Sequence, residues 1–250
     1  MKIRLQKIIA EAGLASRREA ERWIAEGKVQ VNGLVETRPG TLADPEVDRI
    51  KVRGRLVPPP GGKVVLAFNK PGNVLTTMVK DAKGRLTVGE LLKKSPGRVF
   101  PVGRLDYHTQ GLLLFTNDGA LSKKLLDPES RVERVYQAKV RGVPSEKALS
   151  RLRKGVRLDQ MPTLPVEVEL KRLSGNNSFL ELTLVEGKNR HVKRICEAVG
   201  HPVVKLKRVR FGSVSLGAIP LGAWRYLSPR EIRALGDCVR QGEGALAVGG

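Results

Sequence analysis

The chain has 250 residues, 40% of them hydrophobic, and carries 46 Lys and Arg against 25 Asp and Glu, a net charge of +21 with a pI near 10.5. That length holds one sizeable core plus a small module, and so basic a chain is expected to meet a polyanion. An apolar run long enough to span a bilayer, an export signal at Met1–Lys7, a metal-ligand spacing of Cys196, Cys238 and the three His, and a Gly-rich phosphate loop are all missing, which leaves a cofactor-free enzyme or a pure binder, with no membrane partner, in a reducing cytoplasm.

Residues 1–57 read as a compact helical and β module. Leu5, Ile8, Ile9 and Ala12 recur at helical spacing, with Gly13 placed for a left-handed cap. Ser16-Arg17-Arg18-Glu19 has the form of a capping box, in which hydroxyl and carboxylate satisfy each other's backbone donors. Ala20 and Ile24 continue the inner face, Trp23 sits at its edge and Gly27 ends the helix. Val29–Val31, the turn Asn32-Gly33 and Leu34-Val35 predict a hairpin, and Arg49 to Val57 a second short strand pair around Gly54. Arg17, Arg18 and Arg22 form either a solvated helix face or a contact to a polyanion. With twelve basic and eight acidic residues the module holds only +4 of the net charge. Pro58-Pro59-Pro60-Gly61-Gly62 is a linker, stiff then flexible. The expected division is therefore 1–57, a linker at 58–62, a second domain over 63–240, and a flexible Gly/Ala tail over 241–250.

The second domain opens with a buried strand, Val64–Phe68, that stops at a turn, Asn69-Lys70-Pro71-Gly72. A polar loop (Lys80–Arg85) and a short helix (Thr87–Leu92) lead to the stretch Phe100–Asp118. There Gly111–Thr116 is a continuous apolar run between turn signals, a strand buried on both faces, and Asp106 sits on the turn before it. Such an Asp either bonds its own backbone or is a reactive carboxylate on a rigid scaffold. Gly119–Leu126 is a helix ended by Asp127-Pro128. Arg134–Arg141 alternates, with Tyr136, Ala138 and Val140 on one face. Ser145–Lys154 is a helix ended by Gly155. Val166, Val168 and Leu170, then Leu180, Leu182 and Leu184, alternate on two half-exposed antiparallel strands joined at Gly175-Asn176-Asn177.

Between Glu186 and Arg210 stand eight Lys and Arg and two acids, the densest basic patch of the chain. Val192, Ile195, Cys196 and Val199 share one helical face there, so Arg190, Lys193, Arg194 and Glu197 project from the other. Val203–Phe211 continues as a basic strand carrying Lys205, Lys207 and Arg208. A patch so lopsided reads as a phosphate contact rather than a neutralised surface. Trp224–Leu227 is a last strand, and Ser228-Pro229-Arg230-Glu231 caps a final helix.

Gly103-Arg104-Leu105-Asp106 followed by Gly111–Leu114 and Thr116–Gly119, with Asn69–Gly72 upstream, resembles the central motif of the RNA pseudouridine synthases, in the branch that modifies small- or large-subunit ribosomal RNA. Ala15–Ala20 and Gly27–Gly33 resemble the RNA-binding domain named after the fourth small-subunit ribosomal protein, which that branch carries at its N-terminus. The resemblance runs from Leu5 to about Leu235. It implies an α+β fold: the small RNA-binding module plus a mixed, largely antiparallel catalytic sheet flanked by helices. It also implies isomerisation of a uridine to pseudouridine without metal or cofactor, on ribosomal RNA or a ribosome-assembly intermediate, by a monomer. Large-subunit RNA is the first expectation and small-subunit RNA the alternative.

Residue by residue, the resemblance makes Asp106 the essential carboxylate, attacking the anomeric carbon or removing a ribose proton. Tyr136, in Arg134-Val135-Tyr136, becomes the ring that stacks on the uracil, and Lys193 the cation paired with the Asp. Arg104 enters the space the base leaves or grips its phosphate. Arg17, Arg18, Lys28, Arg190, Arg194, Lys205, Lys207 and Arg208 are left for RNA contact. His108 and Gln110 stand where the branch often has acids, and His191 where it commonly has Gln. A non-catalytic RNA-binding or assembly protein would explain the charge and the first module, but gains nothing from a carboxylate that repels phosphate.

Overall fold

The computed structural model describes residues 1–93, 95 and 97–247, the last eight of these by their backbone alone. The chain forms two compact units, Met1–Val64 with Ser95–Val99, and Val65–Lys94 with Phe100–Gly250. Residues 58–64 carry neither helix nor strand.

In the first unit, α1 (Leu5–Glu11) and α2 (Arg17–Ala25) pack on a sheet of β1 (Val29–Val31), β2 (Leu34–Glu36), β3 (Ile50–Val52) and β4 (Arg55–Leu56), in the order β2-β1-β3-β4. Leu5, Ile8, Ile9, Ala20, Ile24, Val29 and Ile50 make the core. Asn32 and Gly33 (φ 52° and 88°) and Arg53 and Gly54 (φ 50° and 78°) each place two left-handed residues in a row, the primed turn whose twist suits a hairpin. The expected capping box at α2 is only half formed. Ser16 Oγ accepts from the Glu19 N–H at 3.1 Å, but the Glu19 carboxylate lies 3.7 Å from Arg22, where a cation competes for it.

The second unit is built on a nine-stranded mixed sheet. Its principal strands are β5 (Val65–Lys70), β6 (Gln110–Thr116), β7 (Arg134–Arg141), β8 (Glu167–Ser174), β9 (Asn177–Leu184), β10 (Val203–Phe211) and β11 (Trp224–Tyr226), in the order β8-β9-β7-β10-β6-β5-β11. All pairings along this path are antiparallel except β10 with β6, where Lys207 lies beside Gln110 and Arg208 beside Gly111. Helices α3 (Val88–Leu91), α4 (Gly119–Leu126), α5 (Glu146–Lys154), α6 (His191–Ala198) and α7 (Pro229–Ala247) complete the unit. One core lies where α5 and α6 pack with β7, β8 and β9; the other joins β5, β6, α4 and α7.

Three expectations are corrected. The first strand does not stop at Asn69: β5 runs through Lys70, and both side chains are buried, because backbone carbonyls satisfy the ammonium. Leu170 does not share the burial of Val168: it is the last in-register residue of β8, a strand at the edge of the sheet, before the register shifts between Leu170 and Arg172. Residues 241–247 are helical, not a flexible tail. Leu235 and Val239 dock α7 in the core, and the helix continues from there to Ala247 through Gly242 and Gly244, between good helix formers at Gln241, Glu243 and Ala245. The rest of that expected tail, 248–250, lies outside the described residues.

Candidate active site

The turn bearing Asp106 is held from two sides. Thr76 Oγ1 donates to the Leu105 carbonyl at 2.7 Å, and Leu105 itself is buried. Beneath the turn, Lys70 Nζ donates to the carbonyls of Pro71 (2.9 Å), Thr109 (2.9 Å) and Tyr107 (3.2 Å). Lys70 is wholly shielded from solvent, and this burial brings its pKa down to about 8, against the opposing pull of the Asp106 carboxylate. The turn's own Thr109 N–H returns to the Asp106 carbonyl at 3.0 Å. Its carboxylate is left pointing outward, where Lys193 Nζ meets Oδ2 at 2.8 Å.

Lys193 comes from the first turn of α6. Arg190, in the left-handed conformation (φ 50°), starts that helix, and Val192, Ile195 and Cys196 bury its inner face. Together the Asp106 turn, α6, β7 and β10 enclose a cavity of about 150 Å³. Arg104, Asp106, Thr109, Tyr136, His191 and Arg208 are among its walls. Tyr136 is partly buried against the first core, and directly opposite it across the β7–β10 ladder is Arg208. His191 is buried, neither ring nitrogen has a hydrogen-bond partner among the described residues, and its Nε2 is 3.6 Å from Glu186; burial lowers its pKa, and the carboxylate only partly offsets this.

The structure thus brings Asp106, Tyr136, Arg104, Arg190 and Arg208 to one cavity, with Lys193 paired to the Asp106 carboxylate. It separates the rest of the basic patch. Arg194 is paired with Asp159 at 2.6 Å. Lys205 is exposed, and Lys207 lines a different concavity with Val135 and Gln137, because successive strand residues point to opposite faces. Arg208 is no surface phosphate contact: it is 3% exposed. In the first unit, Arg17 and Arg18 are exposed at the start of α2, whereas Lys28 is paired with Glu26. Sequence reasoning missed the roles of Lys70 and Thr76. For Lys70 the sequence offered little signal: Asn69 separates it from the apolar run, and Asn69-Lys70-Pro71-Gly72 has the composition of an exposed turn.

A family model described as RNA pseudouridylate synthase matches residues 64–198, and an S4 domain model matches residues 3–48. A protein of Bacillus subtilis (strain 168) named ribosomal large subunit pseudouridine synthase B is 42% identical over 245 residues, covering 97% of this chain and 99% of its own. A protein of Aquifex aeolicus (strain VF5) named as an RNA pseudouridine synthase is 43% identical over 235 residues, 94% of either chain. A crystal structure of a pseudouridylate synthase superposes with a TM-score of 0.65 at 28% identity, over 93% of this chain and 99% of that one.

Proposed function

Since the chain belongs to the RNA pseudouridylate synthase family, we propose that the cavity at Asp106 converts one uridine of large-subunit ribosomal RNA to pseudouridine. The observation that carries this is the Asp106–Lys193 pair, 2.8 Å apart, at a cavity that Tyr136 also lines. The reaction breaks the bond from uracil N1 to ribose C1′ and makes one from C5 to C1′. N1 gains a proton and C5 loses one, so no oxidant, reductant or energy source enters. The base cannot turn inside a helical stack and must be flipped out, at a cost of a few kcal/mol that pocket contacts return. A cavity of about 150 Å³ suits one pyrimidine rather than a larger ligand, whose pockets measure roughly 300–1,000 Å³.

In this reading Tyr136 offers its ring to the uracil face, and Asp106 acts at the sugar. Lys193 holds the carboxylate in place as the phosphate backbone draws near. Arg104, exposed at the rim, fills the gap in the RNA or grips a phosphate. Arg190 adds a second cation at the rim, and Arg17 and Arg18 contact RNA from the S4 domain. All the groups proposed for chemistry come from one chain, so a monomer suffices, acting in the cytoplasm on ribosomal RNA or an assembly intermediate. Large-subunit RNA is favoured over small-subunit RNA by the name of the Bacillus subtilis relative. Pseudouridine mapping in ribosomal RNA from cells with and without the protein tests the proposal. One large-subunit site should vanish, return with the intact gene, and stay absent with Asp106→Asn; an unchanged large-subunit map refutes the assignment.

A further inference from the structure

Two guanidinium groups lie buried beside the cavity, and they are differently employed. Arg134 spends its donors on the backbone: Nη1 on the carbonyls of Val132 and Val185, Nη2 on that of Leu125. Arg208 is fixed through Nε to the Leu112 carbonyl at 2.8 Å, yet its buried Nη2 has no partner among the described residues. Both cations flank the Phe211 ring, at 5.2 and 5.0 Å, and neither meets a carboxylate among the described residues. A buried cation with an idle donor is a large expense in a folded protein unless something arrives to use it.

The sheet register says where that something would lie. Arg208 is the direct cross-strand neighbour of Tyr136, so its guanidinium stands beside whatever rests on the Tyr136 ring. We propose that Arg208 is a base-contacting residue, its guanidinium donating to a carbonyl oxygen of the target uracil. This rests on the reading of Asp106 and Tyr136 given above. The contact suits the reaction for a reason in the ring itself. A half-turn of uracil about the line through N3 and C6 exchanges N1 with C5 and, with them, O2 with O4. A fixed donor that meets one carbonyl in uridine therefore meets the other in pseudouridine. When the N1–C1′ bond breaks with its electron pair left on the base, that pair spreads over N1, O2 and O4, and the guanidinium faces the charge as it develops. The charge is discharged when C5 bonds to C1′, C5 gives up its proton and N1 takes one.

Single-turnover isomerisation of an RNA with 2-thiouridine or 4-thiouridine at the target position tests this, because sulfur accepts hydrogen bonds poorly. The wild-type protein should slow about tenfold or more with sulfur at either position. Arg208→Met should be slow on the unmodified RNA, with RNA affinity and thermal unfolding near wild type, and lose less than about twofold further with either sulfur; Arg208→Lys should fall between. Indifference of the wild-type protein to both sulfurs overturns the proposal, whether or not any variant folds. So does an equal sulfur penalty in wild type and Arg208→Met, or a variant that only binds RNA more weakly, as loss of a phosphate contact would produce. Asp106→Asn on the same RNA separates the two claims. Turnover by that variant would remove the reading of the site itself, whereas an inactive Asp106→Asn beside equal sulfur penalties would remove only the role of Arg208.

Discussion

Asp106→Asn keeps the shape of the side chain and removes its charge, so turnover should drop to background in single-turnover assays while RNA affinity stays within about twofold. Tyr136→Phe should keep most of the rate and Tyr136→Ala lose most of it; equal losses would mean that stacking is the wrong account of the ring. Lys70 makes a prediction in pH. Below about 8 its ammonium has a proton for each of the three carbonyls; above, it has two protons and one carbonyl goes unserved. The rate should therefore decline as pH rises through about 8, as the Asp106 turn loosens. Stability should move the other way. Between about 8 and the ordinary 10.5 the unfolded chain still holds the Lys70 proton that the folded chain has released, so Lys70 adds stability as pH rises across that window. Parallel pH series of rate and urea midpoint check this, and Lys70→Met retaining the same alkaline step would assign it elsewhere. Resemblance to the family's motifs, and not spacing by itself, made Asp106, Tyr136 and Lys193 legible as candidates. The depth of Lys70 and Arg208 was not legible, since a lysine or arginine in a sequence looks the same on a surface as beneath a turn.

At the level of elements, the parallel junction of β6 and β10 is where substitution should cost most. Gly111 sits at φ 102°, and a Cβ there would stand 2.2 Å from the Arg208 carbonyl oxygen and 2.9 Å from its nitrogen. Gly111→Ala should destabilise by at least about 2–3 kcal/mol and shift Arg208 out of register with Tyr136. Gly236→Ala, in α7 with nothing near its would-be Cβ, should instead stabilise by roughly 0.5–1 kcal/mol. Urea denaturation of both separates a backbone collision from a general sensitivity to added methyl groups. Apolar periodicity made β9, α5 and α6 readable, because each buries one face with its own repeat, and β6 was readable as an unbroken apolar run buried on both faces. In β10 a count of basic residues alone hides the structure: a two-residue repeat sends Lys205 and Lys207 to one face of the sheet and Leu206 and Arg208 to the other.

For the whole molecule, charge and recognition are divided unequally. Residues 1–57 hold +4 and the rest of the chain +17. Long-range attraction to RNA should come chiefly from the catalytic unit, and the S4 domain should select and orient a folded target. Deleting residues 1–57 should weaken binding to the cognate hairpin more than to scrambled RNA and reduce the salt slope only modestly, each lost phosphate contact removing about 0.7–0.9 from it. Filter binding across a salt series decides this; equal losses on both RNAs with a flattened slope would make the domain an electrostatic anchor. The division into two modules was readable from Pro58–Gly62 and the motif order. No composition signal could show that residues 97–99 group with the first unit.

The β6–β10 pairing also sets a clock. It joins residues roughly a hundred positions apart, and the Asp106–Lys193 pair spans nearly as far. At about 5–20 residues per second of synthesis, the Asp106 turn leaves the ribosome several seconds or more before Arg208 does. The carboxylate waits first for its cation, on α6, and the wall facing Tyr136 comes only with β10 after it. A half-made chain of this protein can therefore hold a folded RNA-binding domain while its chemistry is still unassembled, so it can find ribosomal RNA before it is able to alter it.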